Sequence, residues 1–153
     1  MDDRSVFPDA VAVVRGNEKA PRLGGAVHFF QKARGVWVVA HVYGLPRDTG
    51  FFAFHIHEGR SCTGVDFAAA GGHYNPGRTQ HPYHAGDLPP LLSCDGEGFL
   101  AVLTNGFRVR DIIGRTVVIH SDPDDFHTQP AGNSGAKIAC GVIRSRRDEE
   151  EEF

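Results

Sequence analysis

Nine histidines are present in the 153-residue chain, and seven of them follow residue 54. Imidazole titrates near neutral pH and is the commonest protein ligand for borderline metal ions. Five of the seven lie within a stretch of about thirty residues, so their clustering indicates metal binding. The seven are His55, His57, His73, His81, His84, His120 and His127.

His55 and His57 are separated by one residue within an apolar run. Because successive side chains of a strand point to opposite faces, both imidazoles would lie on one face, and Phe54 and Ile56 would lie on the core face. Two imidazoles on one face can hold one metal ion. The same pattern also occurs in solvated surface pairs, so the motif alone leaves both interpretations open.

A loop rich in glycine and proline follows, and it contains a second group of candidate ligands. The group consists of His73, His81, His84 and Asp87. Three imidazoles and one carboxylate suit a closed tetrahedral zinc site. A turn-rich loop also wraps four ligands around one ion more easily than a strand does. A polar surface loop with incidental histidines is the alternative.

His120 ends an apolar run, and two carboxylates follow it in the next loop. A single histidine at a strand end is more often structural than a ligand, and acidic residues are common in loops. A carboxylate that accepts the free N–H of a metal-bound imidazole, however, orients that ring. Asp124 and Asp125 are therefore candidates for a supporting role around a metal.

Short runs of β-branched and aromatic residues, bounded by glycine and proline, must position these side chains. The 19 glycines and 9 prolines favour many turns, and no segment shows a sustained helical period. Two long stretches, 58–90 and 121–136, are predicted loops, with a short helical turn expected near 66–70 or 122–126. The predicted strands span residues 9–15, 26–31, 36–43, 51–57, 98–104, 115–120 and 137–143.

The composition is that of an ordinary globular domain, with 41% hydrophobic and 23% charged residues. The net charge of −3 disfavours nucleic-acid binding, which normally needs a basic stripe. No apolar run is long enough for a membrane span. The acidic N-terminus lacks the apolar region of a secretory signal, so we expect a cytoplasmic protein unless a leader has been removed.

In their order along the chain, these motifs resemble the copper/zinc superoxide dismutase family, in particular its bacterial members. The resemblance rests on the segments FHIHE (54–58), GHYNP (72–76), HAGDL (84–88), IGRTVVIH (113–120) and GNSGAKIACGVI (132–143). It implies an all-β fold, namely a Greek-key antiparallel β-sandwich or flattened barrel of about eight strands with two long functional loops. We expect this domain over 9–143, an N-terminal tail over 1–8, and a charged, disordered tail over 144–153.

The resemblance also implies a role for each candidate residue. Copper would be bound by His55, His57, His73 and His120. Zinc would be bound by His73, His81, His84 and Asp87, so that His73 bridges the two ions. Asp124 would link the two sites through their histidines. Cys62 and Cys140 would form the family's intrachain disulfide, which leaves Cys94 as a free thiol.

The activity implied is the conversion of superoxide to dioxygen and hydrogen peroxide by copper redox cycling, with zinc in a structural role and His73 and Lys137 as catalytic residues. Positive potential accelerates the arrival of a small anion, and superoxide dismutases are themselves a standard example of such steering. Lys137 stands where the family usually has an arginine. Lysine keeps the charge but loses the planar fork of donors, so we expect retained but reduced activity.

Several points stay open at the level of sequence. A non-catalytic copper- and zinc-binding or copper-delivery module on the same fold is the alternative function, because fold alone does not decide activity. A disulfide favours an oxidising compartment, which conflicts with the cytoplasmic expectation. His81 and His84 are closer in sequence than their family counterparts usually are. A homodimer is compatible with the chain, but its geometry cannot be copied from the eukaryotic enzymes.

Overall fold

A computed structural model of the protein describes residues 6–151, and most of its regular structure is β-strand. Residues 1–5 of the predicted N-terminal tail and residues 152 and 153 lie outside the described residues. The strands are β1 (Ala10–Gly16), β2 (Gly24–Gln31), β3 (Val36–Tyr43), β4 (Thr49–Phe52), β5 (Phe54–His57), β6 (Leu91–Cys94), β7 (Glu97–Thr104), β8 (Thr116–His120) and β9 (Lys137–Ser145). A 3-10 helix (Val65–Ala70) and the helices α1 (Val109–Ile112) and α2 (Arg146–Glu150) complete the described elements. None of the helices within 6–151 is long and apolar enough to cross a bilayer.

The strands form because their side chains alternate between a buried and an outward face. On β3, Val36, Val38 and Val42 are fully buried, whereas Trp37 and Tyr43 are exposed. Branched side chains pack well on a pleated surface, and the period of two residues puts them all on one side. The inward faces of the strands meet in a hydrophobic core, against which the strands that carry candidate ligands also pack.

All strand pairs are antiparallel, and the sheet order is β4-β6-β7-β3-β2-β1-β9-β8-β5. The two outermost strands, β4 and β5, are consecutive in the chain and separated by Ala53 alone. The sheet is therefore a nearly closed barrel, and the predicted all-β Greek-key class is confirmed. The strand predicted over 51–57 is interrupted at Ala53, whose N–H donates to the carbonyl of Asp122 and whose carbonyl accepts from the N–H of His120.

The two predicted long loops contain no named strand, and both lie beside β5. Of the two helical turns expected in them, the one near 66–70 is present as the 3-10 helix, and residues 122–126 form no helix. Gly64 precedes the 3-10 helix and Gly71 follows it, and both have a positive φ, which is the conformation that glycine adopts without strain. The barrel strands fix the two ends of each loop, and the conformation between those ends depends on contacts outside the sheet.

The C-terminal segment differs from the disorder predicted for it. β9 continues two residues past the predicted end of the domain because Arg144 and Ser145 pair with Val11 and Ala10 of β1. The Ser145 hydroxyl then accepts a hydrogen bond from the backbone N–H of Asp148 at 3.3 Å and caps α2. Residues 144–150 are therefore strand and helix, and the domain boundaries themselves stay predictions.

Candidate metal centre

β5 and β8 carry three of the predicted ligands on the side of the barrel wall away from the core. His55 and His57 lie on β5, and His120 ends the neighbouring β8. Phe54 and Ile56 point into the hydrophobic core, as strand alternation predicts. The local sequence thus fixes the direction of both β5 imidazoles.

The loop over 58–90 returns across β5 and covers these imidazoles. Isolated backbone bridges pair His57 with His73 and His55 with Asp87. As a result, His55 is 0% exposed and His57 is 2% exposed. The interpretation of His55 and His57 as a solvated surface pair is therefore excluded.

Four buried imidazoles form the first cluster, in which one nitrogen of each ring lies within 4.8 Å of the others: His55, His57, His73 and His120. The Nε2 atoms of His57 and His120 are 3.1 Å apart. Nδ1 of His55 and Nε2 of His73 are buried and have no hydrogen-bond partner among the described residues. Buried polar atoms are rarely left unpaired, so these nitrogens suit a cation between them.

Asp87 is the centre of the second cluster. Its Oδ1 lies 2.8 Å from Nδ1 of His73, and its Oδ2 lies 3.0 Å from Nδ1 of His81 and 3.2 Å from Nδ1 of His84. Three imidazole nitrogens around one carboxylate are a donor set that suits zinc. Despite the short spacing between His81 and His84 in the sequence, both rings reach the same carboxylate.

His73 belongs to both clusters through different ring atoms. Its Nδ1 faces Asp87 and lies 3.2 Å from Nδ1 of His84, while its Nε2 is the unpaired atom of the first cluster. Its ring centroid is 4.0 Å from that of His55 and 5.0 Å from that of His57. One imidazole therefore separates the two clusters and contacts each.

Asp124 connects the two clusters by contacting one histidine of each. Its Oδ2 is 2.8 Å from Nε2 of His55, and its Oδ1 is 2.7 Å from Nε2 of His81. Each ring therefore has its other nitrogen, Nδ1, directed toward a cluster. Gly132 packs against this carboxylate with a φ of +73°, and a Cβ at that position would collide with Oδ1. The backbone at Gly132 thus leaves space that Asp124 needs.

Asp125, the other carboxylate that the sequence offered, has a different role. Its carboxylate accepts hydrogen bonds from the backbone N–H groups of His127 and Thr128 and from the Thr128 hydroxyl. These contacts hold a turn and lower the pKa of Asp125 to about 2. The side chain of His127 is 79% exposed and belongs to neither cluster.

The environment disfavours protonation of several cluster residues, and the clearest shifts are those of His57, His120 and Asp124. Burial lowers the pKa of His57 well below its usual range, and proximity to His120 lowers it further. Burial and the neighbouring His55 lower the pKa of His120 to about 3. Burial alone would raise the pKa of Asp124, but hydrogen bonds from His55 and His81 outweigh burial and hold that pKa below its usual range. These are the protonation states that bind metal cations.

Residues 23–143 match the family model described as copper/zinc superoxide dismutase. The chain belongs to the copper/zinc superoxide dismutase family. This match spans both clusters, Asp124 and β9 as far as Ile143, so the family assignment and the site geometry concern the same residues. The donor set of neutral imidazoles and carboxylate also fits the two metals of the family name.

Two bacterial relatives illustrate the extent of the similarity. The chain is 34% identical to "Superoxide dismutase [Cu-Zn] 1" of Aquifex aeolicus over 143 residues, which cover 84% of this chain and 83% of that protein. It is also 34% identical to "Superoxide dismutase [Cu-Zn]" of Deinococcus radiodurans over 149 residues, which cover 84% and 81% of the two chains.

Solved structures share the fold over almost the whole chain. The clock protein EA4 superposes with a TM-score of 0.78 at 27% identity, covering 95% of this chain and 99% of its own. A double mutant of a superoxide-dismutase-like protein from Bacillus subtilis has the same TM-score at 31% identity, covering 92% and 100%. The relatives thus include a dismutase-like protein as well as dismutases.

Lys137 opens β9 directly opposite His120 in the strand register. The side chain is half-buried, and its positive charge is one of the lesser causes of the lowered pKa of His120. A positively charged side chain is therefore present beside the first cluster.

The disulfide between Cys62 and Cys140 is formed, with a Cα–Cα distance of 5.8 Å. It joins the loop over 58–90 to β9, and both half-cystines pack with Val118 and Ala70. Cys94 on β6 is a free, exposed cysteine, as predicted.

Three supporting contacts were not predicted from the sequence. The carbonyl of Gly71 lies 2.8 Å from Nδ1 of His57 and can fix that ring. Arg115 donates to the carbonyl of Glu58 at 2.7 Å, and Arg47 donates to the carbonyl of Ser121 at 2.7 Å, so each arginine holds the start of one long loop. Backbone carbonyls carry no sequence signal, and single arginines just before β4 and β8 have no distinctive spacing.

Proposed function

We propose that this protein is a superoxide dismutase that converts superoxide to dioxygen and hydrogen peroxide. The observation that carries the proposal is the convergence of five buried imidazoles, the partly buried His84 and Asp87 in two clusters that share His73. Membership of the family, together with the bacterial relatives named as dismutases, supports the same activity.

In this proposal, the first cluster (His55, His57, His73 and His120) holds copper, and the second (His73, His81, His84 and Asp87) holds zinc. When bound, copper supplies one-electron redox chemistry, while zinc, which has no redox chemistry, supplies a fixed positive charge and orders the loop. The protein contributes nitrogen donors that are already in position, and burial disfavours the protonation of His57 and His120 among them by lowering the pKa of each ring.

His73 is the residue that would hold a proton during turnover. Its Nδ1 is committed to the Asp87 side at 2.8 Å, whereas its Nε2 has no partner among the described residues. A proton held at Nε2 would therefore lie at the boundary between the clusters, beside His55 and His57. Asp124 orients the neighbouring rings by accepting the Nε2–H of His55 and of His81.

Lys137 would attract and orient the anionic substrate. It is opposite His120 in the register and remains partly accessible to solvent. A lysine ammonium attracts an anion but lacks the fork of donors that arginine offers, so we propose an activity that is retained but lower than with arginine at this position.

A non-catalytic metal-binding or copper-delivery module is the second candidate function. One observation favours it: a close structural match is described as a superoxide-dismutase-like protein. Lys137 also differs from the residue usual in the active family. In this alternative the same two clusters hold metal, but superoxide is not turned over.

Metal analysis combined with a superoxide dismutation assay separates the two candidates. The dismutase proposal expects about one copper and one zinc per chain, and turnover that is lost in His57→Gln. His127→Gln is the matched control, because that histidine is exposed and outside both clusters. Both metals bound without turnover would contradict the dismutase and support the metal-binding module.

A further inference from the structure

Two adjoining cavities open at the end of the barrel where β9 ends. Lys137 lies at the beginning of β9, so the length of an extended strand, on the order of 30 Å, separates it from that end. The first has a volume of about 430 Å³ and is lined by the β2–β3 turn and the segment from β7 into α1. The second has a volume of about 460 Å³ and lies over β3 and β7. Ala33 and Arg34 line both cavities.

Three arginines surround the first cavity: Arg34, Arg108 and Arg110. All three are exposed, and none forms an ion pair with another residue in the part of the chain that the structure describes. The one carboxylate in the lining, Asp111, accepts a hydrogen bond from the backbone N–H of Arg108 at 2.9 Å. Three guanidinium groups with one carboxylate among them create a local positive potential on a chain whose net charge is −3.

The side chain of Gln31 connects the two segments that line the first cavity. The Gln31 side-chain amide donates to the carbonyls of Lys32 at 2.9 Å and Gly35 at 3.3 Å. Its Oε1 accepts the backbone N–H of Val109 at 2.9 Å. The turn that carries Arg34 and the segment that carries Arg108 are therefore held at a set distance, which lowers the cost of ordering them around a ligand.

The second cavity adds a flat aromatic surface beside the same arginine. Trp37 is 41% exposed and faces Leu103, which is 49% exposed, across the β3–β7 pair. Both line this cavity together with Arg34. An exposed indole next to a guanidinium group is suited to stacking on a planar heterocycle whose charged part reaches the arginine.

We propose that the two cavities form one binding site for a nucleoside polyphosphate, with the phosphates on Arg34, Arg108 and Arg110 and the base on Trp37. Guanidinium groups match phosphate oxygens with paired hydrogen bonds. Each cavity falls within the size range of small-molecule sites, so the pair accommodates a phosphate chain and a base. Arg34, Arg108, Arg110 and Trp37 belong to neither metal cluster, so the proposal does not depend on the proposed dismutase activity. Gly106 in the lining of the first cavity lies against Ala85, the residue after His84.

Trp37 is the single tryptophan of the chain, so its fluorescence reports directly on the second cavity. The metal-loaded full-length protein is titrated with magnesium ATP, with excitation beyond the adenine absorption band, and metal content is measured before and after. We expect saturable quenching. Arg108→Gln and Arg110→Gln should each weaken binding about tenfold or more, as expected for loss of a charge-assisted hydrogen bond. Arg15→Gln, an exposed arginine on β1 that lines neither cavity, should leave binding unchanged.

Magnesium tripolyphosphate and adenosine separate the two halves of the site. The proposal expects each to bind more weakly than ATP. Absence of saturable quenching by ATP at millimolar concentration would overturn the proposal, and so would equal weakening by Arg15→Gln. Equal affinity for tripolyphosphate and ATP would also overturn it, because Trp37 would then contribute nothing. Dismutase activity should be unchanged in Arg108→Gln, which keeps this test distinct from that of the metal centre.

Discussion

Asp124 is the side chain on which the geometry of both clusters depends. It is 7% exposed and contacts His55 with one oxygen and His81 with the other. A carboxylate can accept both N–H groups at once and favours the same ring nitrogens as donors toward it. The remaining nitrogens of these two rings are thereby directed to metal positions on either side of His73.

Replacing Asp124 with asparagine tests this role. An amide has one acceptor oxygen, so it cannot accept from both rings, and one ring loses its orientation. We expect metal affinity to fall about 10- to 100-fold, the usual effect of losing such a supporting contact, as measured by chelator competition. Asp125→Asn is the control, because Asp125 contacts only its own turn. Equal losses in the two variants would contradict the assigned role.

Lys137 provides a second test at the level of the residue. Lys137→Glu reverses the charge beside His120, so kcat/KM for superoxide should fall about tenfold or more, as in the loss of electrostatic steering. Raising the salt concentration should slow the wild type but slow the variant less or accelerate it. Lys137→Arg should raise the rate. Identical salt profiles for wild type and Lys137→Glu would remove Lys137 from the mechanism.

The buried histidines predict how the stability of the metal-free protein depends on pH. The folded-state pKa values of His57 and His120 are lowered, the latter to about 3, so the unfolded chain binds more protons below its ordinary pKa of 6.5. Stability should therefore decline as pH falls from 6.5 toward 3, by about 1.4 kcal/mol per pH unit for each such histidine at most. Thermal unfolding in the presence of a chelator measures this, and a melting temperature that is constant between pH 7 and pH 5 would contradict it.

Among the elements, the loop over 58–90 depends on contacts other than the strand pairing of the barrel. It contacts β5 through two backbone bridges, and the Cys62–Cys140 disulfide attaches it to β9. The disulfide closes a chain segment of 78 residues, which lowers the entropy of the unfolded state. The loop that carries most of the second cluster is therefore anchored near both of its ends.

Cys62→Ser should lower the free energy of unfolding by about 2–5 kcal/mol, the usual range for loss of a native disulfide. Zinc should also be released more readily, because His73 and Asp87 belong to the released loop. Denaturant unfolding and zinc retention are the measurements. Cys94→Ser is the matched control, since Cys94 is exposed and unbonded. A similar loss of stability in the control would show that the effect does not arise from the disulfide.

The sequence predicts most of the strands because alternation is a local property. It does not predict the break at Ala53, which depends on hydrogen bonds to Asp122 and His120 far along the chain. It also misses β6, which is only four residues long and has a buried serine in its inward row. The end of β9 and the helix α2 after it are missed as well, because the pairing of Arg144 and Ser145 with β1 is a tertiary contact.

The candidate site, like the fold, is predicted only in part by the sequence. The ligand types follow from residue identity and from the family resemblance, but their convergence depends on the loop returning over β5. Residue type alone leaves Asp124 and Asp125 as equivalent candidates, and the family resemblance favours Asp124. The fold shows the physical difference, since Asp124 turns inward to two histidines and Asp125 caps a turn.

At the scale of the whole molecule, one barrel carries two metal clusters under its long loops and an arginine-lined cavity beside the β2–β3 turn. The core beneath the clusters is apolar and complete, so the barrel does not need metal to bury its strands. The two loops do need metal for a stable structure, because their buried groups include imidazole nitrogens without a hydrogen-bond partner among the described residues. Chelation should therefore loosen the two loops before the barrel, and hydrogen exchange would show faster exchange in 58–90 and 121–136 than in the core strands β2 and β3.

In the proposed metal centre, the ring of His73 lies between two metal ions and binds both. Crystals of the copper- and zinc-loaded protein, measured at the absorption edge of each metal, locate the two ions individually. We predict copper bonded to Nε2 of His73 and zinc bonded to Nδ1 of the same ring. A single ion, or two ions of which only one contacts His73, would contradict the account.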